Sequence, residues 1–363
     1  MQIMKTISFQ LLLMIIALVS LVGCKKERID AVTVDARNMA AIKLRSIFEV
    51  VDTIPLGMWS DLPIGNFDRV LLCKDRIIVG DNSSSKILCF DYNGKLLYST
   101  GDVGHADNEY IKIRDIAAND SCIMVLDATG VLYYDISDGH FVKRVRPFEK
   151  VNSWDSFTPD RKGGYYYFSA SEPTTIGHMT ERNEDIPVSK FVCCQMVTTK
   201  FYEFKDTICV LPDWGDYTIY YIKDDKLVPR YTLELGNNTI PENIRPQEGM
   251  EFATIDMQRD DLYRSVIYAF ENSHFFITRI VGPKNKYYDI FYNKTTHAVL
   301  SGECDSETFY DVVGTMGEEF FVVVYPDNIK ETSPLYKLME RRRALGSDNP
   351  VLFKVRIKEE ALL

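Results

Sequence analysis

The chain has 363 residues, 46% of them hydrophobic and 26% charged, with 42 Lys and Arg against 52 Asp and Glu for a formal charge of −10. That acidic balance excludes the basic footprint a nucleic-acid partner requires. The apolar content excludes a disordered chain, and the length suits one large all-β domain or two to three average ones.

The N-terminus carries Lys5 and then a mostly apolar run from Phe9 to Val22. The run is short for a bilayer span and ends in small residues, so it is read as an export leader. Its end, Leu21-Val22-Gly23-Cys24, resembles the lipobox of bacterial lipoproteins. The resemblance implies cleavage before Cys24 and acylation of its thiol, which tethers a domain to a membrane surface. The division expected is therefore a leader over 1–24, a polar tether over 25–45 beginning Lys25-Lys26-Glu27-Arg28, and one folded domain over 46–363. The cell envelope, on the outer membrane and facing either side, is the expected location, and the membrane is reached through the lipid.

Ile47 to Leu56, IFEVVDTIPL, reads as a strand standing ahead of a set of repeats. Arg76–Gly101 (RIIVGDNSSSKILCFDYNGKLLYSTG) and Ser121–Arg146 (SCIMVLDATGVLYYDISDGHFVKRVR) align with one another. Each has an apolar run ending in Asp81 or Asp127, a polar turn, and a second run ending in Phe90-Asp91 or Tyr134-Asp135. A glycine turn and a third strand follow. Phe90 and Tyr134 lie 44 residues apart, a pitch suited to four-stranded propeller blades. Asn93-Gly94 and Asp138-Gly139 predict hairpins with type I′ turns.

Weaker copies follow at 163–170, 201–236, 267–302 and 309–358, making six units. In a closed ring the Ile47–Leu56 strand is expected to pair with the last of them. Pro241–Arg264 and Asn328–Asp348 are poor in β-branched residues and read as helical or irregular insertions, with Arg341-Arg342-Arg343 on a solvated face. The fold expected is all-β: a six-bladed β-propeller with short helical insertions.

Residues 99–110, STGDVGHADNEY, connect the first two copies. The leader, the stretch VGDNSSSKILCFDYNGKLL and this loop together resemble the six-bladed propeller lipoproteins of Bacteroidota, NHL-like in style. That family tends toward Gly-x-Gly-Pro-Gly-Glu-Tyr, and Gly104, Glu109 and Tyr110 match, whereas Ala106, Asp107 and Asn108 depart from it. The resemblance implies the fold and an exported location, and carries no established chemistry. His105, Asp107 and Glu109 are weighed here as ligand contacts against a purely structural crossing loop.

Asp213-Trp214-Gly215-Asp216-Tyr217 is the most suggestive binding loop, with Trp154-Asp155 similar to it. Aromatic faces beside carboxylates can stack on a sugar ring and accept its hydroxyls. The alternative is that Trp154 and Trp214 wedge between blades. Nucleophile elbow, Walker loop, HExxH and dinucleotide patterns do not occur. No catalytic residues and no resident metal or cofactor are therefore assigned. Ca²⁺ is kept as an alternative, since some six-bladed propellers hold one at the pore mouth. Asp81, Asp115 and Asp127 stand near strand ends for it.

Seven cysteines beyond Cys24, namely Cys73, Cys89, Cys122, Cys193, Cys194, Cys209 and Cys304, show neither CxxC nor Cys/His metal spacing. The leading reading is a lipid-anchored module that binds a glycan, a peptide or an envelope protein. The rival is a lyase, lactonase or glycan hydrolase with a metal at the pore mouth.

Overall fold

The computed structural model describes residues 31–57, 64–65, 67–82, 84–146, 154–170, 175–190, 200–241, 260–304, 310–326, 329–341 and 349–362. The leader, the lipobox with Cys24, Cys193-Cys194, Arg342-Arg343 and most of the 241–264 insertion lie outside them. Six antiparallel sheets succeed one another along the chain, with cores at 69–100, 115–145, 156–190, 201–234, 265–304 and 310–357. Their innermost strands contact one another in sequence, and the sixth meets the first, which closes a six-bladed β-propeller.

Alternation along the strands explains the ring. In the second strand of blade 2, Ile123 and Val125 enter the cluster shared with blade 1, beside Ile78, Cys89 and Tyr110. Met124 and Leu126 enter the cluster shared with blade 3, beside Trp154, Phe157 and Tyr165. Residues i and i+2 of a strand share a face, so a run apolar at every position supplies both neighbours. Among the described residues, such a cluster fills every junction between successive blades. Cys89 and Cys209 are buried in two of them as small hydrophobes, while Cys73 and Cys122 are only half-buried.

The aromatic-Asp repeat has a two-part cause. Phe90 and Tyr134 are each 1% exposed and fill junctions. Asp91 and Asp135 then cap the turn that follows, their Oδ1 atoms accepting from the amides of Asn93 at 2.8 Å and Ser137 at 2.7 Å. The expected type I′ turns are not formed there. Only Gly94 (φ +81°) and Gly139 (φ +78°) are left-handed, and a register shift beside each turn marks a bulge. The two-residue turn with both torsions positive occurs instead at Asp224-Asp225, φ +50° and +56°.

Four antiparallel strands return the chain to the face where it started. Every innermost strand therefore runs the same way. One face, here the crossing face, carries the connections between blades and the turn after each second strand. The opposite hairpin face carries the turns after the first and third strands.

The N-terminal segment makes a ribbon around three blades. β1 (Val32–Asp35) pairs in parallel with the outer strand of blade 4, and β2 (Met39–Ile42) with that of blade 5. A short helix α1 (Leu44–Ile47) leads to β3 (Phe48–Pro55), the outermost strand of blade 6, antiparallel to Val351–Ile357. The expected closure strand is thus β3, and part of the expected tether forms blade edges. The second insertion contains α2 (Pro334–Arg341), whose Met339 is fully buried in the cluster under blade 6 while Arg341 is exposed.

Candidate functional site

Strand polarity puts all the residues singled out as ligand contacts on the crossing face, in three separate places. The first is the 101–110 connection. Asp102-Val103 pairs in parallel with Glu109-Tyr110, and the Gly104 amide donates to the Tyr110 carbonyl at 3.1 Å. Gly101 has φ +74°, and a Cβ there would sit 2.2 Å from the Tyr110 ring. Tyr110 is fully buried, its hydroxyl donating to the Ser85 carbonyl at 2.8 Å. Glu109 turns its carboxylate back to accept from the Ala106 amide at 2.9 Å, so it holds the turn's shape. His105 and Asp107 are exposed, with Arg146 3.3 Å from Asp107. The loop has the architecture of a crossing connection.

The second place is the turn over Asp213–Tyr217, where of the two readings weighed for its aromatics the structure has the buried one. Trp214 is 9% exposed and packs on Ile240 and Leu262. The Tyr217 hydroxyl donates to the Tyr263 carbonyl at 2.7 Å and accepts from the Ile240 amide at 2.8 Å. Asp213 accepts from the Trp214 amide at 2.9 Å, and Asp216 accepts from the Thr218 amide at 3.0 Å and the Tyr220 hydroxyl at 2.8 Å. The turn clamps the connection between blades 4 and 5. The third place is Trp154, which is fully buried and stacked on Tyr167, centroids 4.4 Å apart and 9° from parallel. Trp154 is a wedge between blades 2 and 3, whereas Trp214 plugs the space under the connection between blades 4 and 5.

The three acids considered for a pore-mouth metal do not meet. Asp81 Oδ2 accepts from the Gly65 amide at 2.8 Å and the Ser84 hydroxyl at 2.7 Å. Asp127 accepts from the Ala128 amide at 2.6 Å and the Thr129 hydroxyl at 2.9 Å. Asp115 accepts from the Ser156 hydroxyl at 2.6 Å and the Phe157 amide at 3.0 Å, tying blade 2 to blade 3. Each carboxylate closes its own loop or junction. Among the described residues, the one group spaced to hold an ion is Asp135, Asp138 and His140, on an outer turn of the hairpin face.

The cavities lie elsewhere. Toward the hairpin face the channel holds about 230 Å³, walled by the innermost strands of all six blades. A groove of about 700 Å³ between blades 2 and 3 adjoins it, and Ala118, Pro159 and Glu203 line both spaces. Met124, Tyr133 and Tyr165 lie along the groove, with Asn119 and Ser121 on one rim and Arg161 and Gly163-Gly164 on the other.

The Tyr133 and Tyr165 hydroxyls hydrogen-bond to one another, and burial pushes both phenols up, so both stay protonated. Lys143 stands over the Tyr133 ring, 4.7 Å from its centroid. Arg161 Nη2 donates to Glu203 Oε2 at 3.0 Å, and Thr158 donates to Glu203 Oε1 at 3.3 Å. The groove is of mixed character: Met124 and the two tyrosine rings lie among Asn119, Asp120, Ser121, Arg161 and Glu203, so rings and hydrogen-bonding groups face the same space. The sequence does not announce these residues. They come from two hairpins and an inner strand with no shared pattern.

The profile of a family described as a domain of unknown function, DUF4934, matches residues 27–356. Among solved structures, the chain is similar to a candidate exported protein of Bacteroides fragilis NCTC 9343, at 16% identity and a TM-score of 0.74, covering 90% of this chain and 100% of that one. It is also similar to a member of the DUF4221 family from Bacteroides vulgatus ATCC 8482, at 10% identity and a TM-score of 0.52, covering 86% and 99%. A search of curated proteins finds no match.

Proposed function

The chain belongs to the DUF4934 family, and from that premise we propose that it is an exported, lipid-anchored binding module of the cell envelope whose contact surface is the hairpin-face groove. The observation that carries this reading is that groove and channel share the walls formed by Ala118, Pro159 and Glu203. A space of about 700 Å³ falls within the range of small-ligand sites, roughly 300–1,000 Å³. The tyrosine pair offers rings and a fixed hydroxyl network, and Arg161 with Glu203 offers paired charges, a set that serves a glycan or a peptide. The enzyme alternative asks for acids that converge at the pore mouth, whereas Asp81, Asp115 and Asp127 are each engaged in their own loop or junction.

Filling the groove tests the reading. Ser121 is exposed on the rim, and Ser121→Trp is expected to weaken capture on glycan and peptide arrays by about tenfold or more, equivalent to ~1.4 kcal/mol. Its melting temperature should stay within about 2 °C of wild type. Undiminished capture by the variant, or no capture by wild type, rejects the groove as the contact surface. The anchor is tested separately: Cys24→Ala is expected to move the protein from the membrane fraction to the soluble one.

A further inference from the structure

At the crossing face the channel ends in a second cavity, about 220 Å³, lined among others by Asp68, Arg69, Tyr268, Arg279, Tyr287 and Asp311. Among the described residues, four acids at or behind its walls, Asp68, Asp115, Asp289 and Asp311, stand against two cations, Arg69 and Arg279. Arg279 is 3% exposed and donates to Asp289 through Nε at 2.7 Å and Nη2 at 3.0 Å, and to Asp311 through Nη1 at 2.6 Å. One cation thus serves two carboxylates. Asp289 is fully buried, whereas the Asp311 side chain is 40% exposed, so the surplus charge faces the opening. Burial pushes the Asp311 carboxyl upward, Arg279 opposes that push, and Asp289 adds to it.

The neighbours deepen the imbalance. Arg69 pairs across the junction with Asp115 at 3.7 Å. Asp68 accepts from the Asn82 amide at 2.8 Å, and Asp68, Asp81 and Asp311 all act on Tyr325 at the junction of blades 6 and 1. Other cations just ahead of inner strands are held away from the cavity. Arg114 donates to the Trp154 carbonyl, Lys200 to the Pro212 carbonyl and Arg264 to the Asn285 side chain. The walls are aromatic: Tyr268 and Tyr287 flank the Arg279 guanidinium at 5.2 and 5.7 Å, and Tyr287 stays 45% exposed.

We propose that this mouth binds an organic cation, an ammonium or guanidinium group, seated between Asp311 and Asp68 with the Tyr287 ring against it. Low-dielectric walls focus the field of Asp68 and of Asp311, which shares its one cation with Asp289, and a tyrosine face attracts a cation of diffuse charge. The aromatic lining favours such a group over a metal ion, which asks for several converging oxygens. The inference deepens the binding-module reading and rests on it, while using the opposite end of the channel from the groove.

The test is calorimetric titration of the full folded domain with N-acetyl-arginine amide, N-acetyl-lysine amide and the neutral isostere N-acetyl-citrulline amide. The two cations are expected to bind in the millimolar range or tighter, and the citrulline compound at least about tenfold more weakly. Asp311→Asn is expected to lose about five- to tenfold for arginine. Because Asp311 also braces Arg279, Asp68→Asn and Tyr287→Ala provide variants that leave this ion pair in place, each expected to lose about threefold or more. Citrulline binding equal to arginine binding, no cation binding up to about 10 mM, or wild-type arginine affinity in both Asp68→Asn and Tyr287→Ala overturns the proposal.

Tighter binding of a lysine-containing hexapeptide than of spermidine assigns the cation to a protein partner, and the reverse assigns it to a free polyamine. Either result upholds the site. Ser121→Trp should leave arginine binding untouched, so failure of the groove and failure of the mouth are read independently.

Discussion

Deleting residues 45–57 is expected to abolish cooperative folding, leaving a protein without a sharp melting transition at 37 °C. The segment contains β3, paired from Phe48↔Ile357 to Pro55↔Val351. It also contributes Ile47, Ile54 and Leu56, at 0%, 2% and 1% exposure. Burying each such side chain contributes about 1.5–3 kcal/mol, together roughly 5–9 kcal/mol. That is the same order as a whole domain's stability, about 5–15 kcal/mol. The deletion also leaves Val351–Ile357 as a bare, largely apolar edge, which invites pairing between chains. Thermal unfolding and size-exclusion chromatography check this. A melting temperature within about 3 °C of wild type would show that the ring closes without β3.

The second large effect is expected at the junction of blades 4 and 5. Glu271 is 1% exposed and accepts from Arg230 Nε at 2.7 Å and Nη2 at 2.8 Å, from Tyr231 at 2.9 Å and from Tyr202 at 3.2 Å. Lys294 donates to the same carboxylate, and both cations also stand over the Phe204 ring. Removing one member of a buried ionic group leaves its partners desolvated and uncompensated, at a cost of about 3–5 kcal/mol. Glu271→Gln is therefore expected to lower Tm at pH 7 by roughly 5–10 °C.

Burial alone would raise the Glu271 carboxyl, but the Arg230 hydrogen bonds and the two cationic charges bring it below the usual carboxylate range. A lowered folded-state pKa stabilises fully above the unfolded value, about 4.3, and that stabilisation is lost as pH falls through the lowered value. The Tm difference between wild type and Glu271→Gln should therefore shrink as pH drops from 7 toward 3. A constant difference across that range would remove the carboxylate charge from the account.

What the chain order reveals and what it hides follow from different physics. The ring is legible because the requirement repeats: Phe90-Asp91 and Tyr134-Asp135 each fill a junction and cap a turn, 44 residues apart. The closing strand is legible because IFEVVDTIPL is β-rich and stands before the first unit. β1 and β2 are not, because four residues are too short a window: VTVD alternates over only two periods and MAAI does not alternate. The Trp214 turn misleads because carboxylates beside aromatics look alike whether they receive a sugar or cap a buried loop. Burial by Ile240 and Leu262, more than twenty positions downstream, decides between the two. The groove and the crossing-face mouth are assembled from different blades, so no local window contains them.

The ribbon bears on the order in which the molecule can be completed. β1, β2 and β3 are made first, yet their partners are Lys226–Glu234, Val299–Cys304 and Val351–Ile357, which emerge later and in that same order. During synthesis, the leading segment has nothing to pair with until nearly two-thirds of the polypeptide has been made. It then fastens stepwise, blade 4, blade 5, blade 6, like a belt drawn through successive loops, and the last step joins segments about 300 residues apart. Such distant pairing makes maturation slow relative to a chain of local hairpins. A polypeptide truncated between residues 234 and 351 still contains the strands of the first four blades and lacks the partner of β3 that locks them into a circle.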